Sequence, residues 1–254
     1  MPTRDRPSMA PRPAATILVV RDDPFEVLMV RRHKNQSFSS ALVFPGGAVD
    51  ESDGSEDWLP LLAGADDFSD RARALRIAAF RETFEETSLL LARNDDGHCA
   101  APAGIDAATP FPEVVRNSGG RLHLGDLVPF GHWITPEFEP RRFDTHFFLC
   151  AAAPDQEAFC DGGEAVALEW AAPNDILQRA AEGETSILFP TRMNVSRLAE
   201  STNVADALAA ARQRPVYTVR PRTEQREGGV AVVIPAEAGY SETEHFLPQE
   251  PRPG

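Results

Sequence analysis

The sequence predicts a mixed α/β (α+β) fold, and three features carry that prediction. Runs of β-branched and aliphatic residues near the N-terminus, from Ala15 to Arg21 and from Glu26 to Arg32, are typical of strands. The stretch from Asp70 to about Arg93 has helical periodicity and contains neither proline nor glycine. Further strand patterns follow that helix. At 254 residues the chain can bury one sizeable core, so we expect one main domain with extensions.

Proline and glycine residues mark the ends of the predicted N-terminal strands. Asp22 to Phe25 separates the two N-terminal strands and contains a proline, which predicts a hairpin. A third short strand, Ala41 to Phe44, ends where Pro45 and two glycines follow. The acidic stretch Ser52 to Phe68 is predicted to be an inserted loop with one short helix.

Downstream of the long helix, strand and helix patterns alternate. The predicted strands are Leu124 to Ile134, Phe143 to Ala151 and Ala165 to Trp170; a helix is predicted from about Asn174, and Ser186 to Arg212 is predicted to be mostly helical. Beyond Pro215, a hairpin is predicted to pair Val216 to Val219 with Val230 to Ile234, and we expect the residues from Ser241 onward to be mobile. These patterns divide the chain into a flexible N-terminus (1–13), a main domain (14–214, with an insertion at about 54–70) and a C-terminal extension (215–254).

The composition of the chain disfavours several classes of function. A formal net charge of -14 disfavours nucleic-acid binding, and a phosphate-ester substrate would need a divalent cation to supply positive charge. Three cysteines without CxxC spacing suggest neither a disulfide framework nor a zinc site. No stretch has the apolar length of a signal core or a membrane span. We therefore expect a cytoplasmic protein with a small-molecule ligand, no nucleic-acid or membrane partner, and a homodimer as the assembly to test.

The long helix carries the chemical signal. At about 100° per residue, the carboxylates of Glu82, Glu85 and Glu86 fall on one face. An apolar stripe on the approximately opposite face is expected to face the core and contains Ile77, Phe80, Phe84 and Leu91. Clustered carboxylates repel one another, and hard oxygen donors select Mg²⁺ or Mn²⁺. The three glutamates are therefore the predicted metal ligands.

Residues near these glutamates are predicted to complete the site. Arg81 lies four residues before Glu85 and can hold that side chain by a charge-assisted hydrogen bond. Gly46 and Gly47 let the backbone approach closely, so a carbonyl oxygen at Gly46 is a further candidate ligand and both glycines are candidate substrate contacts.

These motifs resemble the box of the Nudix hydrolase family, Gly-x5-Glu-x7-Arg-Glu-U-x-Glu-Glu-x-Gly-U, where U is aliphatic. Gly47 fits the first glycine, and Asp53 stands in the register of the first glutamate. Between Asp53 and Arg81 there are 27 residues, an insertion of 20, and Ser88 replaces the closing glycine. Because a positive φ at Ser88 would cost about 1 kcal/mol, the helix is expected to continue past it. The resemblance implies a Nudix-like α/β/α sandwich with a mixed central sheet, and metal-dependent hydrolysis of a diphosphate linkage.

Two further segments are similar to the subgroup typified by the peroxisomal coenzyme A diphosphatase. These are the insertion beginning Val49 to Asp53 and the run Arg142 to Phe148. The subgroup implies coenzyme A or acyl-coenzyme A as substrate, cleaved to 3',5'-ADP and a 4'-phosphopantetheine product. The alternatives are an ADP-ribose, dinucleotide or nucleotide-sugar diphosphatase, and a non-catalytic binding or regulatory module of the same fold.

The candidate catalytic residues are Glu82, Glu86 and Arg81, and the resemblance adds Glu164 as an extra acid, either ligand or general base. Either Glu82 or Glu164 would accept a proton from the attacking water. The alternative for Glu164 is an ordinary exposed loop acid.

Basic residues at the end of the second strand are candidate phosphate contacts, namely Arg31, Arg32 and Lys34. A solvated strand end explains them equally well. The histidines at 132 and 146 alternate with apolar residues and are interpreted as structural, and the tryptophans at 133 and 170 as core or rim aromatics. The cysteines are expected to be buried and inert.

Overall fold

The computed structural model describes residues 10–32, 41–99, 109–154, 156–160 and 165–248. Within these ranges the strands are β1 (Arg12–Arg21), β2 (Glu26–Arg32), β3 (Ala41–Val43), β4 (Gly46–Ala48), β5 (Leu62–Ala63), β6 (Arg93–Asn94), β7 (Gly97–His98), β8 (Leu122–His123), β9 (Val128–Ile134), β10 (Phe143–Ala151), β11 (Ala165–Ala171), β12 (Ser186–Ile187), β13 (Thr218–Val219), β14 (Arg222–Arg226), β15 (Gly229–Val233) and β16 (Glu244–Pro248). The α-helices are α1 (Asp70–Thr87), α2 (Phe111–Ser118), α3 (Pro173–Ala181), α4 (Phe189–Leu198) and α5 (Val204–Gln213). Short 3-10 helices occupy Glu51–Gly54, Glu56–Leu61, Ala65–Asp67, Leu124–Asp126 and Ala236–Ala238.

A mixed sheet forms the centre of the fold. Its strands lie in the order β12, β3, β2, β1, β10, β9, β13, while β11 pairs with β2 and β4 pairs with β1. β1 and β2 form the predicted antiparallel hairpin, whereas β1 runs parallel to β10. One edge of β1 carries β10, and the other edge carries first β4 and then β2. The mixed sheet confirms the predicted α/β (α+β) class and places the two glycines of β4 beside the central strand.

Helices cover both faces of this sheet. Successive side chains of β1 enter different cores, because strand side chains alternate between faces. Ile17 packs with Ile77 of α1 on one face, and Leu18 packs in the core that holds Met193 of α4 and Ala207 of α5 on the other. Each large apolar side chain buried in this way contributes about 1.5 to 3 kcal/mol. The layers confirm the predicted α/β/α sandwich.

Helix α1 ends six residues earlier than predicted. Its last helical residue is Thr87, because Ser88 adopts a left-handed conformation with φ of 59°. The Ser88 N–H still donates to the Phe84 carbonyl at 2.7 Å, which closes the last turn. The expected continuation to about Arg93 is therefore wrong. Leu91, predicted to lie on the apolar stripe of the helix, is buried beyond the helix end instead.

The insertion before α1 has more regular structure than the predicted loop with one short helix. It contains three short 3-10 helices, and its apolar side chains join the core under α1. The indole ring of Trp58 is tilted against Phe111 of α2, and its N–H donates to the Ser52 carbonyl at 3.0 Å. The insertion is thus part of the packed domain.

The predicted C-terminal hairpin is wrong in its pairing. β13 joins the central sheet parallel to β9, and β15 pairs on both sides with β14 and β16. β16 lies in the segment that was expected to be mobile. The charged and exposed sequence of β14 lacks the apolar alternation that marks a strand, which is why the sequence pattern does not predict it. In the described part of the chain, no helix has both the length and the apolarity needed to cross a bilayer.

Candidate metal and diphosphate site

Two glycines at the start of β4 form one wall of the site. Gly46 has φ of +153°, which strains any L-residue, and a Cβ there would lie 2.5 Å from Thr16 Oγ1. A Cβ on Gly47 would lie within 2.5 Å of both carboxylate oxygens of Glu82. Glycine is therefore needed at position 46 because of the backbone conformation, and at position 47 because the Glu82 carboxylate packs against it.

The C-terminal half of α1 presents three glutamates at this wall, as the helical spacing predicts. Glu82 lies directly against Gly47. Glu86 is only 7% exposed and accepts a hydrogen bond from the Gly46 amide at 3.1 Å. Glu85 is the most open of the three, with its side chain 49% exposed. The structure thus brings the predicted ligands and the glycine pair together.

Arg81 organises the carboxylates. Its Nε and Nη2 atoms donate to the two carboxylate oxygens of Asp53, each at 2.9 Å. Its Nη1 atom donates to Glu82 at 2.8 Å and to Glu85 at 2.9 Å, and Nη2 also donates to the Ala48 carbonyl at 3.1 Å. The predicted contact with Glu85 is present, but it is one of several. The planar guanidinium therefore fixes the relative positions of the Asp53, Glu82 and Glu85 carboxylates.

Asp53 contributes to the arrangement of this candidate site. Its side chain is fully buried, bonded to Arg81, and it also accepts a hydrogen bond from the Asp50 amide at 2.8 Å. Its place six residues after Gly47 was the available signal, although the sequence did not show that Arg81 would be its partner. We assign it to positioning, because its oxygens are occupied by Arg81 and by its own helix turn.

The charges in this cluster shift each other's protonation. Burial disfavours the charged form of Arg81, but its hydrogen bond to Asp53 and the surrounding carboxylates outweigh burial and raise its pKa. Burial also raises the pKa of Glu85, partly opposed by the charge of Arg81 and its hydrogen bond. One guanidinium thus faces four carboxylates, namely those of Asp53, Glu82, Glu85 and, at 3.7 Å, Asp50.

This donor set fits a hard divalent cation. Carboxylate oxygens are the preferred ligands of Mg²⁺ and Mn²⁺, and the local excess of negative charge would be neutralised by such an ion. The tight seat of Glu82 on Gly47 and the fixed Glu86 leave the acids preorganised on one helix face. The Ile17 N–H donates to the Pro45 carbonyl, and the Val49 N–H donates to the Pro13 carbonyl. In an antiparallel pair only alternate residues bond to the neighbouring strand, so the backbone groups of Gly46 point away from β1, and its N–H donates to Glu86.

The predicted substrate-binding residues are only partly described. Arg31 lies half-buried on β2, opposite Leu42 of β3, which precedes Gly46 by four residues in the sequence. Arg32 follows it on the same strand, and nothing is described of its side chain. Lys34 and Glu164 lie outside the described residues, so their roles stay predictions.

The remaining aromatic and cysteine predictions have mixed outcomes. Trp133 is buried and donates to the Tyr240 hydroxyl at 3.0 Å, so it is a core residue. The Trp170 ring is covered by the guanidinium of Arg21 at 4.3 Å, as expected for a rim aromatic. Cys160 is half-exposed, which corrects the expectation that all the cysteines are buried.

Comparison with known proteins identifies the family. The sequence matches the NUDT19 Nudix domain family over residues 70–198, which includes all of α1 and about half the chain. The chain belongs to the Nudix hydrolase family. A Nudix hydrolase from Alicyclobacillus acidocaldarius has a similar crystal structure, with 33% sequence identity and a TM-score of 0.67 over 79% of this chain and 96% of that one.

Curated relatives of this Nudix chain include the acyl-coenzyme A diphosphatase NUDT19 of Homo sapiens, which is 28% identical over 72% of this chain. The Xenopus laevis protein of the same name is 24% identical over 86% of this chain and 72% of its own length. This chain spans only 62% of the length of the human relative.

Proposed function

We propose that this chain hydrolyses a diphosphate linkage in a nucleoside-diphosphate substrate, with coenzyme A or acyl-coenzyme A as the substrate class. The observation that carries the proposal is the constellation of Glu82, Glu85 and Glu86, held by Arg81 and Asp53 against a close-packed glycine pair. This arrangement concentrates negative charge where a diphosphate, itself anionic, would otherwise be repelled. A divalent cation therefore has to mediate between protein and substrate.

The three glutamates would hold Mg²⁺ or Mn²⁺, with the Gly46 carbonyl as a further candidate ligand. Such an ion, when bound, neutralises charge on the diphosphate and lowers the pKa of a coordinated water. The chain's own residues fix the geometry: Arg81 sets the positions of Glu82 and Glu85, and the Gly46 amide holds Glu86. Hydrolysis also needs a carboxylate to accept a proton from water, and Glu82 is the candidate among the described residues.

The substrate class is supported by the relatives. Two curated relatives, from Homo sapiens and Xenopus laevis, are named acyl-coenzyme A diphosphatases, and the matching family model is the NUDT19 Nudix domain. Cleavage would add water across the diphosphate and give 3',5'-ADP and 4'-phosphopantetheine or its acyl form. Arg31, half-buried on β2, is the proposed contact for the 3'-phosphate, which distinguishes coenzyme A from ADP-ribose.

The metal-site assignment is tested by Glu86→Gln. Glutamine keeps an oxygen that can accept the Gly46 N–H but removes the negative charge, so we expect turnover to fall by at least about 100-fold while the melting temperature changes little. Glu113→Gln, an exposed glutamate on α2, is the matched control. If the Glu86 variant hydrolyses its substrate at the native rate, these carboxylates do not hold the catalytic metal.

The substrate class is tested by offering coenzyme A, 3'-dephospho-coenzyme A, ADP-ribose, NADH and nucleotide sugars with Mg²⁺ or Mn²⁺ and identifying the phosphate products. We expect the highest kcat/KM for coenzyme A or its esters, and Arg31→Gln should lower that value more for coenzyme A than for its 3'-dephospho form. Preference for ADP-ribose, a dinucleotide or a nucleotide sugar would move the chain to another substrate class. Turnover of none would favour a binding module.

We also infer that the chain acts in the cytoplasm on small molecules, without a nucleic-acid or membrane partner. A homodimer is the assembly to test by sedimentation. The net charge of -14 supports the exclusion of nucleic acid.

A further inference from the structure

Two histidines and an aspartate converge on the sheet face that α1 covers. His132 of β9 and His146 of β10 lie opposite each other in the strand register, with their rings stacked at 4.0 Å between centroids. His132 Nε2 lies 2.5 Å and His146 Nε2 lies 3.8 Å from the same Asp144 oxygen, Oδ1. One potential ligand atom from each residue lies within 4.8 Å of the others. Nitrogen and oxygen donors are thus gathered at one point by adjacent strands.

We propose that His132, Asp144 and His146 form a binding site for a transition-metal ion of the zinc type, separate from the carboxylate site on α1. Two imidazoles and one carboxylate suit Zn²⁺ or Co²⁺, whereas Mg²⁺ prefers an all-oxygen set. Ligand atoms about 2 Å from a tetrahedral ion lie about 3.4 Å apart. Side-chain shifts of about 1 Å would therefore close the present arrangement around an ion.

Neighbouring groups are placed as the outer partners of such ligands. The Nδ1 atom of His132 lies 2.8 Å from the Thr218 hydroxyl, a contact that would orient the ring when an ion replaces the hydrogen between Nε2 and Asp144. The other oxygen of Asp144, Oδ2, accepts a hydrogen bond from Arg71 at 2.7 Å. Metal-binding residues are commonly oriented by such second contacts. The Arg71 charge also offsets that of Asp144, so we expect a site with modest affinity.

The cluster is partly shielded from solvent. The side chains are only 14% to 28% exposed, which limits competition from water while leaving an ion a route of entry.

This cluster is distinct from the glutamate site. Ala15 of β1 pairs with Gly47 on one side and with His146 on the other. Two strand spacings, or about 10 Å, therefore separate the backbone of His146 from that of Gly47, on which Glu82 rests. That separation is too large for one ion to touch both sets of ligands.

The test is a Zn²⁺ titration of the full chain in excess Mg²⁺, which keeps the glutamate site occupied. Histidine imidazole nitrogens are followed by ¹H–¹⁵N NMR, and affinity is measured by Co²⁺ absorption. We expect the signals of His132 and His146 to shift together at one equivalent, while His123 stays unchanged. His146→Gln should weaken Co²⁺ binding on the order of 100-fold or more. His123→Gln, a half-exposed histidine of β8, is the matched control.

Two results would overturn the proposal. One is native Co²⁺ affinity in His146→Gln; the other is a titration in which His132 and His146 keep their signals at saturating Zn²⁺. The NMR readout uses the unmodified protein, so it decides the question even if a variant folds poorly. Neither measurement depends on hydrolysis, and the result is separate from that for the glutamate site.

Discussion

Replacing Gly47 by alanine separates the catalytic from the structural importance of the glycine loop. The new methyl group would lie within 2.5 Å of both carboxylate oxygens of Glu82, whereas ordinary contacts begin near 3.4 Å. Glu82 must therefore move by about 1 Å. A displacement of that size at a reacting centre can lower the rate by about 100-fold. We expect a similar fall in kcat/KM for Gly47→Ala.

The same substitution should change stability much less. The Glu82 carboxylate is the flexible end of its side chain, and its movement would break the 2.8 Å ion pair with Arg81 while Arg81 keeps its contacts with Asp53 and Glu85. The loss of that one contact should cost about 1 kcal/mol. Urea unfolding should therefore show a small loss, while steady-state kinetics show a large one. The Mg²⁺ concentration for half-maximal rate should also rise, because the displaced carboxylate is a proposed ligand.

Gly54→Ala is the matched control, since a Cβ at Gly54 meets no atom within 4 Å. That variant should keep the native rate and metal dependence. The reasoning is refuted if Gly47→Ala retains native kcat/KM, or if the two variants lose activity equally.

Three further predictions concern stability and reactivity. Arg81→Gln leaves the buried carboxylate of Asp53 unpaired and should lower the free energy of unfolding by about 3 to 5 kcal/mol in urea; a loss below about 1 kcal/mol would contradict the role of Arg81 in fixing the carboxylates. Ser88→Gly relieves a left-handed φ of 59° and should raise the free energy of unfolding by about 1 kcal/mol, and no gain would argue against strain at that position. Burial raises the pKa of Cys150 to about 12, so a thiol reagent should modify Cys160 in the folded chain but not Cys150, even when the pH rises from 7 to 9. Reaction of Cys150 at the rate found in urea would contradict this burial.

Local patterns predicted the parts of the fold that depend on neighbours in sequence. The β1–β2 hairpin, strand β10 and the shared face of the glutamates all follow from short-range periodicity. The end of α1 does not follow from short-range periodicity. The left-handed backbone conformation of Ser88 costs about 1 kcal/mol, and tertiary contacts that the sequence pattern does not show stabilise it. Residues just beyond it, such as Leu90, are fully buried, and that burial favours the turn.

Helical spacing predicts the glutamates of the candidate site, but contacts between residues far apart in the sequence are not predicted. Glu82, Glu85 and Glu86 lie within two helical turns, so their spacing alone brings them together. Asp53 and Arg81 meet across 27 residues, and only a recognised family register could place them as a pair. The partners of His132 lie on two other strands, and no local pattern reports a contact of that kind.

The long separation between Asp53 and Arg81 need not weaken their contact. Lengthening a closed loop from about 7 to about 27 residues costs about 1 kcal/mol in chain entropy. Burial of Trp58 and Leu61 from the inserted segment contributes about 1.5 to 3 kcal/mol each as an upper estimate, which offsets that cost. Asp53 is held independently by its own 3-10 turn, through the Asp50 amide. The ion pair is therefore decoupled from the length of the insertion, so the segment between the two halves of the box can vary without moving the carboxylates.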